Sequence, residues 1–169
     1  MGVCRYCGKP AGIFRRKHAE CADAHRRVLV EIDNFASQAA CGALPLDALE
    51  AKIKDAATGT NLTPIEIRTA YVDGWETESA KLVKCFEEKG AFDGDEERKL
   101  LAYQERFHLT QAELDTRGSY MRLVKLGVLN DLMNGKASNR LTVTGTLPFN
   151  FQPTEHLIWL FQNVGSSWN

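Results

Sequence analysis

The sequence has no hydrophobic run long enough to cross a membrane. No stretch of its 169 residues approaches the ~20 consecutive apolar side chains that a membrane-spanning helix needs. The first twenty residues also lack the apolar core of a secretory signal, because basic side chains interrupt them. We therefore expect a soluble, cytoplasmic protein with no membrane span.

Net charge is also nearly absent. The chain has 21 Lys and Arg against 22 Asp and Glu, which gives a formal charge of -1 and excludes a uniformly basic nucleic-acid binder. Its 44% hydrophobic and 25% charged residues are typical of globular proteins and exclude a wholly disordered or collagen-like chain. There is no internal repeat and no low-complexity segment. The composition predicts at least one folded core.

Catalytic motifs and paired cysteines are missing as well. The sequence contains no Gly-rich phosphate loop, no Gly-x-Ser-x-Gly and no His-Glu-x-x-His. Its five cysteines are odd in number and follow no signal peptide, so a disulfide framework is not expected. These absences favour a non-catalytic protein over an enzyme.

Three of the five cysteines lie within the first 21 residues. With one histidine they form the pattern Cys4-x2-Cys7-x10-His18-x2-Cys21. Three thiolates and an imidazole make a closed tetrahedral set that suits structural zinc. Gly8 allows a tight turn after the first pair, and the three-residue spacing of the second pair fits the first turn of a helix. The sequence therefore predicts a zinc finger over residues 1–27, folded by its metal.

One ligand has a rival in the sequence. His25 lies four residues after Cys21 and competes with His18 for the fourth position. His18 is preferred because it forms a compact second half-site with Cys21. The two remaining cysteines, Cys41 and Cys85, are isolated and are expected to pack as small buried apolar side chains.

The central sequence predicts a helical bundle over residues 28–135. Apolar residues recur at helical spacing, and two Thr-x-x-Glu capping boxes, Thr63 to Glu66 and Thr110 to Glu113, mark helix starts. Gly42 and Gly90 mark helix ends. The predicted helices cover residues 22–40, 46–57, 64–89, 94–107 and 111–133. We therefore expect a mainly α protein with a small zinc finger in front of the bundle.

The last segment, residues 136–169, differs in pattern. Residues 140–146 alternate apolar and polar side chains, and residues 156–164 form a nearly continuous apolar run, which together predict a β-hairpin. A two-stranded ribbon needs cover on its apolar faces. Three arrangements would cover these faces: packing on the bundle, pairing with a protein partner or second copy, or a sheet that continues beyond Asn169.

Three segments resemble known families. CRYCGKPAGIFRRKHAEC resembles the N-terminal zinc finger of certain bacterial multidomain proteins. FEEKGAFDGDEERKLLAYQERFHLTQAELD is similar to the tellurite-resistance TerB-like helical domain, and TGTLPFNFQPTEHLIWLFQNV resembles the opening strands of a bacterial pleckstrin-homology-like domain. The last resemblance implies that the domain is incomplete in this chain. Together they imply a scaffold in bacterial stress response or phage defence.

An acidic cluster lies in the TerB-like segment. Four carboxylates fall within five residues, at Asp93, Asp95, Glu96 and Glu97. The TerB resemblance implies a divalent-cation site there, and with it a cation-dependent enzyme as an alternative function. The spacing does not fit an EF-hand loop, and acids in the first turn of a helix complement its macrodipole. A solvated helix start is therefore the preferred interpretation.

Charge is unevenly divided along the chain. Residues 1–27 carry a balance of +5 and residues 28–169 a balance of -6. A basic finger can bind phosphates, with Tyr6 or Phe14 stacking on a base, so a nucleic-acid-binding module is the second hypothesis. An acidic protein surface, including the chain's own helices, is the competing partner. The basic residues concerned are Arg5, Lys9, Arg15, Arg16, Lys17, Arg26 and Arg27.

The first hypothesis for function is a non-catalytic zinc-binding adaptor or regulatory protein. It combines a saturated metal site, a helical surface and a C-terminal β segment that assembles with a protein partner or a second copy. The nucleic-acid-binding module and the cation-dependent enzyme remain alternatives.

Overall fold

The computed structural model describes residues 2–13 and 15–135. This part of the chain is mainly helical, as predicted, with one small sheet at its start. The predicted C-terminal hairpin lies outside the described residues. Two strands and six helices follow in chain order: β1 Gly2–Val3, β2 Pro10–Gly12, α1 Ala19–Ala40, α2 Leu46–Ala56, α3 Pro64–Lys89, α4 Gly94–Arg106, α5 Gln111–Leu114 and α6 Ser119–Met133.

The chain divides into two compact units, residues 1–123 and residues 124–169. The first unit holds the sheet, helices α1 to α5 and the start of α6. Of the second unit, the structure describes residues 124–135, which continue α6 and its following turn. Within the described residues, no helix combines the length and the apolar character needed to cross a membrane.

Helix α3 begins and ends as its sequence predicts. The Thr63 side chain accepts a hydrogen bond from the Glu66 amide, and the Glu66 carboxylate accepts one from the Thr63 amide, which completes the capping box. Pro64 occupies the first helical position, where its missing N–H costs nothing. Gly90 adopts a left-handed conformation with φ of 73° and terminates the helix. Local sequence signals therefore set both ends of the longest helix.

The prediction of one continuous helix over residues 111–133 is wrong. This segment is divided into α5 and α6 by a turn in which the Gly118 amide donates to the Asp115 carbonyl at 2.9 Å. Gly118 has a φ of 73°, which is incompatible with a helix interior. The Asp115 side chain then accepts a hydrogen bond from the Met121 amide at 3.0 Å, in the first turn of α6. The turn stops one helix and caps the next.

The core of the first unit forms where α1 packs on α3. Gly74 of α3 lies so close to Ala36 of α1 that a Cβ added at Gly74 would lie 2.8 Å from the Ala36 Cβ. Trp75 and Ile32 are fully buried beside this crossing. From α4, the buried Tyr103 donates its hydroxyl to the Tyr71 carbonyl at 3.1 Å. Small residues at the crossing allow the two helices to approach closely.

Helix α1 runs without interruption past residue 27, where the sequence analysis places the end of the finger. Its first turn carries Cys21, while Ile32 and Ala36 farther along the same helix are fully buried in the core. The finger and the bundle therefore share one helix.

Candidate metal centre

The first two cysteines are held by a tight turn between β1 and β2. These strands pair antiparallel, and the Cys4 amide donates to the Lys9 carbonyl at 2.8 Å. The Gly8 amide donates to the Cys4 carbonyl at 2.8 Å, with Gly8 at a φ of 71°. A glycine adopts that angle without a Cβ penalty. Cys4 and Cys7 therefore both lie in the turn that connects the two strands. The sequence does not predict this sheet, because strands of two and three residues show no alternation.

The second pair of donors comes from the start of α1. His18 is the residue before the helix, with extended backbone angles, and its carbonyl accepts the Ala22 amide at 3.1 Å. Cys21 lies in the first helical turn. Because His18 makes no side-chain hydrogen bond to the helix amides, its imidazole is available for the cluster.

All four predicted ligands converge. One donor atom from each of Cys4, Cys7, His18 and Cys21 lies within 4.8 Å of every other, which makes a set able to hold a metal ion. Nδ1 of His18 lies 3.5 Å from Sγ of Cys7 and 3.5 Å from Sγ of Cys21. In a tetrahedral zinc site the bond lengths separate a sulfur and a nitrogen ligand by about 3.5 Å. The observed spacing fits such a site.

The other nitrogen of His18 has its own partner. Nε2 lies 3.0 Å from the carbonyl oxygen of Pro10, in β2. When Nε2 carries the proton and donates it there, Nδ1 is left with its lone pair facing the sulfurs. Metal-bound histidines typically donate their second N–H in this way, which fixes the ring orientation.

The thiols differ in their affinity for protons. Burial raises the pKa of Cys4, but hydrogen bonds from the backbone amides of His18, Tyr6 and Cys7 outweigh it and lower this pKa to about 6. Hydrogen bonding to the Cys7 side chain, burial and neighbouring thiolate charge raise the pKa of Cys21 to about 11. Thiolates this close compete for ionisation, and a divalent cation relieves that competition.

His25, the rival ligand, does not lie in the cluster. It is buried, with Nδ1 3.1 Å from the Thr60 hydroxyl and Nε2 2.9 Å from a Glu66 carboxylate oxygen. Its ring packs on Tyr6 with 4.3 Å between centroids. The structure therefore gives His25 a packing and hydrogen-bonding position between the finger and α3.

A hydrogen bond between Tyr6 and Asn61 joins the finger to the bundle, and the sequence does not predict this contact. The Asn61 amide donates to the Tyr6 carbonyl at 3.1 Å, and the Tyr6 side chain is buried. The interpretation that Tyr6 stacks on a base is wrong, because its side chain is buried, with the His25 ring packed against it. Phe14, the other stacking candidate, lies outside the described residues. Its position between the two cysteines marks Tyr6 in the sequence as a residue of the finger. Nothing in the sequence marks Asn61 as its partner.

The isolated cysteines lie outside the cluster. Cys41 is exposed at the end of α1, so the prediction that it is buried is wrong. Cys85 is half-buried, and its thiol lies 3.7 Å from the Ala91 carbonyl.

The acidic cluster forms a helix start. Asp93 precedes α4, and its carboxylate accepts the Asp95 amide at 2.9 Å. Asp95 in turn pairs with Arg98. Among residues 2–13 and 15–135, the acids at 93–97 do not form a group of metal-ligand geometry. Their arrangement agrees with capping and with the helix macrodipole. Glu97 is buried, so the prediction that all four acids are solvated is wrong for that residue.

The basic residues of the finger fall into two groups. Four of them line one open groove of about 800 Å³ together with two small apolar residues, and we call this the basic groove: Val3, Arg5, Arg15, Arg16, Lys17 and Ala19. Lys9, Arg26 and Arg27 are exposed elsewhere, and Arg26 lies 3.7 Å from Asp23.

Comparison of the chain with protein-family models, curated proteins and solved structures finds no match. The three family resemblances stay predictions.

Proposed function

We propose that the protein is a non-catalytic zinc-binding adaptor whose metal centre is structural. The observation that carries this proposal is the convergence of four protein donors, Cys4, Cys7, His18 and Cys21, within 4.8 Å. Four protein ligands complete the tetrahedral coordination that zinc prefers and leave no position for water or substrate.

The donor chemistry supports zinc over harder cations. Thiolates are soft ligands that favour zinc in a tetrahedral site with imidazole, whereas magnesium and calcium require oxygen ligands. The finger itself has almost no core, since the buried residues of its cluster are Cys4, Tyr6 and Ala11. Too small to fold by burial alone, such a segment gains its stability from the metal.

The adaptor part of the proposal concerns where partners bind. The finger is held on the bundle by His25, Tyr6 and Asn61, so its outer face is presented in a fixed position. The apolar run at residues 156–164, outside the described residues, is the proposed site of assembly with a protein partner or second copy. Bacterial stress response or phage defence is the setting that the family resemblances imply.

Elemental analysis tests the metal centre. Protein purified with reductant is expected to hold one zinc per chain, and Cys4→Ser to lose most of it because one of four ligands is missing. Cys41→Ser is the matched control, since that exposed thiol lies outside the cluster and its replacement leaves the zinc content unchanged. Zinc-free wild-type protein, or equal zinc in both variants, contradicts the proposal.

Light scattering tests assembly through the C-terminal segment. The full chain is expected to form a dimer or larger oligomer, and Ile158→Lys to shift it toward monomer by placing a charge in the apolar run. Gln152→Lys adds the same charge in the preceding polar stretch and serves as the control. A wild-type chain that is monomeric at all concentrations contradicts self-assembly.

A further inference from the structure

The basic groove of the finger brings together cations that are separated in sequence. The Arg5 amide donates to the Arg16 carbonyl at 3.0 Å, which holds the loop between the two cysteines against the segment that precedes His18. The backbone at Gly2 also runs against the Arg15 carbonyl. The four cations therefore project from a backbone that is fixed by hydrogen bonds and, in the proposed holo protein, by metal ligands on either side.

These cations lack acidic partners within the described part of the chain. Each of the ion pairs seen there involves other residues, so the side chains of Arg15, Arg16 and Lys17 are exposed without a counter-charge. Arg5 lies over the Tyr6 ring, 4.6 Å from its centroid, which orients it without neutralising it. None of the described residues that line the groove is acidic. The basic groove is therefore suited to bind a polyanion.

We propose that the basic groove binds the phosphate backbone of duplex nucleic acid without reading its bases. Neighbouring phosphates supply closely spaced negative charges, and lysine and arginine bind them by charge and hydrogen bonding. Among the described residues that line the groove none is aromatic, and the Tyr6 side chain is buried with the His25 ring packed against it. Single-strand recognition depends on stacking platforms, so duplex is the favoured form.

The proposal rests on the metal-folded finger of the proposed function. Arg5 stands next to Cys4, and Lys17 next to His18, so the metal ligands position the groove residues. Removing the metal is expected to weaken duplex binding along with the fold of the finger.

Charge reversal in the full, zinc-loaded chain tests the groove. Arg15→Glu with Arg16→Glu removes two lining cations, whereas Arg26→Glu with Arg27→Glu makes the same change in net charge on the exposed face of α1, outside the groove. Fluorescence anisotropy with a labelled 24-base-pair duplex is measured across a salt series. Zinc content is determined for every variant.

The groove variant is expected to bind at least about 10-fold more weakly, with the slope of log K against log salt reduced in magnitude by about 2, and the control pair to change affinity less than about 3-fold. Two duplexes of unrelated sequence should bind equally.

Several outcomes overturn the proposal: no duplex binding at low salt by zinc-loaded wild type, equal loss in both variants, preference for single strands, or binding only to anionic lipid vesicles. Each of these leaves the zinc centre standing, whereas an absence of zinc from wild type contradicts the proposed function itself.

Discussion

Nε2 of His25 lies 2.9 Å from Oε1 of Glu66, which joins the helix that carries Cys21 to the capping box of α3. The other oxygen of the same carboxylate accepts the Thr63 amide at 2.7 Å. One glutamate therefore caps its own helix and anchors a histidine 41 residues earlier in the chain. Burial raises the pKa of Glu66, but the hydrogen bonds from Thr63 and His25 outweigh it and lower that pKa.

Substitutions at His18 and at His25 are expected to have different effects. His18→Ala removes one of the four proposed zinc ligands and should reduce zinc affinity by more than the roughly 10–100-fold typical of residues that only orient a ligand. His25→Ala should leave the zinc stoichiometry at one but destabilise the fold by about 2–3 kcal/mol, because it strips two hydrogen bonds and a ring contact from a buried position. Zinc titration and urea denaturation separate these effects; loss of zinc in His25→Ala alone would reverse the assignment.

Chelation of the proposed zinc should unfold the finger and spare the helical core. The finger buries little of its own, whereas the α1 and α3 crossing buries Trp75, Ile32 and Ala36 without help from the metal ligands. We expect a chelator to leave most of the helical circular dichroism in place while amide exchange accelerates across residues 2–21. Collapse of the whole helical signal at the same chelator concentration would show that the metal holds the bundle as well.

The stability of the fold is expected to depend on pH through Glu113, the glutamate of the second capping box. The Arg68 guanidinium, followed by the Thr110 hydroxyl and amide, lowers the pKa of Glu113 to about 2, against about 4.3 in an unfolded chain. Because the folded-state pKa is the lower one, the ionised carboxylate favours folding. This contribution is fully present above about pH 4.3 and is lost as the pH falls toward 2.

Glu113→Gln should therefore destabilise the protein most near neutral pH, by no more than about 1 kcal/mol because the pair is one-third exposed. The difference from wild type should shrink in urea titrations between pH 5 and pH 3. Glu88→Gln, which alters an exposed pair with Lys84 at 3.7 Å, is the control and should show little difference at any pH. A constant deficit for Glu113→Gln would point to lost packing instead of lost charge.

The sequence predicted the helices where the signal is local. Thr63, Gly90 and the second capping threonine act on amides and carbonyls within a few residues, so pattern alone locates α3 and the start of α5. The sequence pattern does not predict the break before α6, although Gly118 marks it. The apolar periodicity continues through the turn and outweighs the signal of a single glycine.

Of the candidate site, only the four donor residues could be predicted from the sequence. Cysteine and histidine spacing identifies the four donors without knowledge of the fold. The attachment of the finger was not predictable, since Tyr6 meets Asn61 and His25 meets Glu66 across tens of residues. Nor does sequence distinguish Arg15 and Arg16, which line the groove, from Arg26 and Arg27, which do not.

The close approach of α1 and α3 makes Gly74 intolerant of any side chain. A Cβ there would lie 2.8 Å from both the Cβ and the carbonyl carbon of Ala36, and the second of these is backbone that cannot rotate away. Gly74→Ala should therefore destabilise the protein by about 1–3 kcal/mol, even though alanine is the better helix former.

Gly94 gives the matched control, because it lies in the first turn of α4 and an added Cβ would meet nothing within 4 Å. Gly94→Ala should be neutral or stabilise the fold by up to about 1 kcal/mol, since it restricts the unfolded chain without a clash. Urea denaturation of both variants checks the pair. Equal stability for Gly74→Ala and wild type would mean that the two helices can separate at no cost, and that the crossing does not set the geometry of the core.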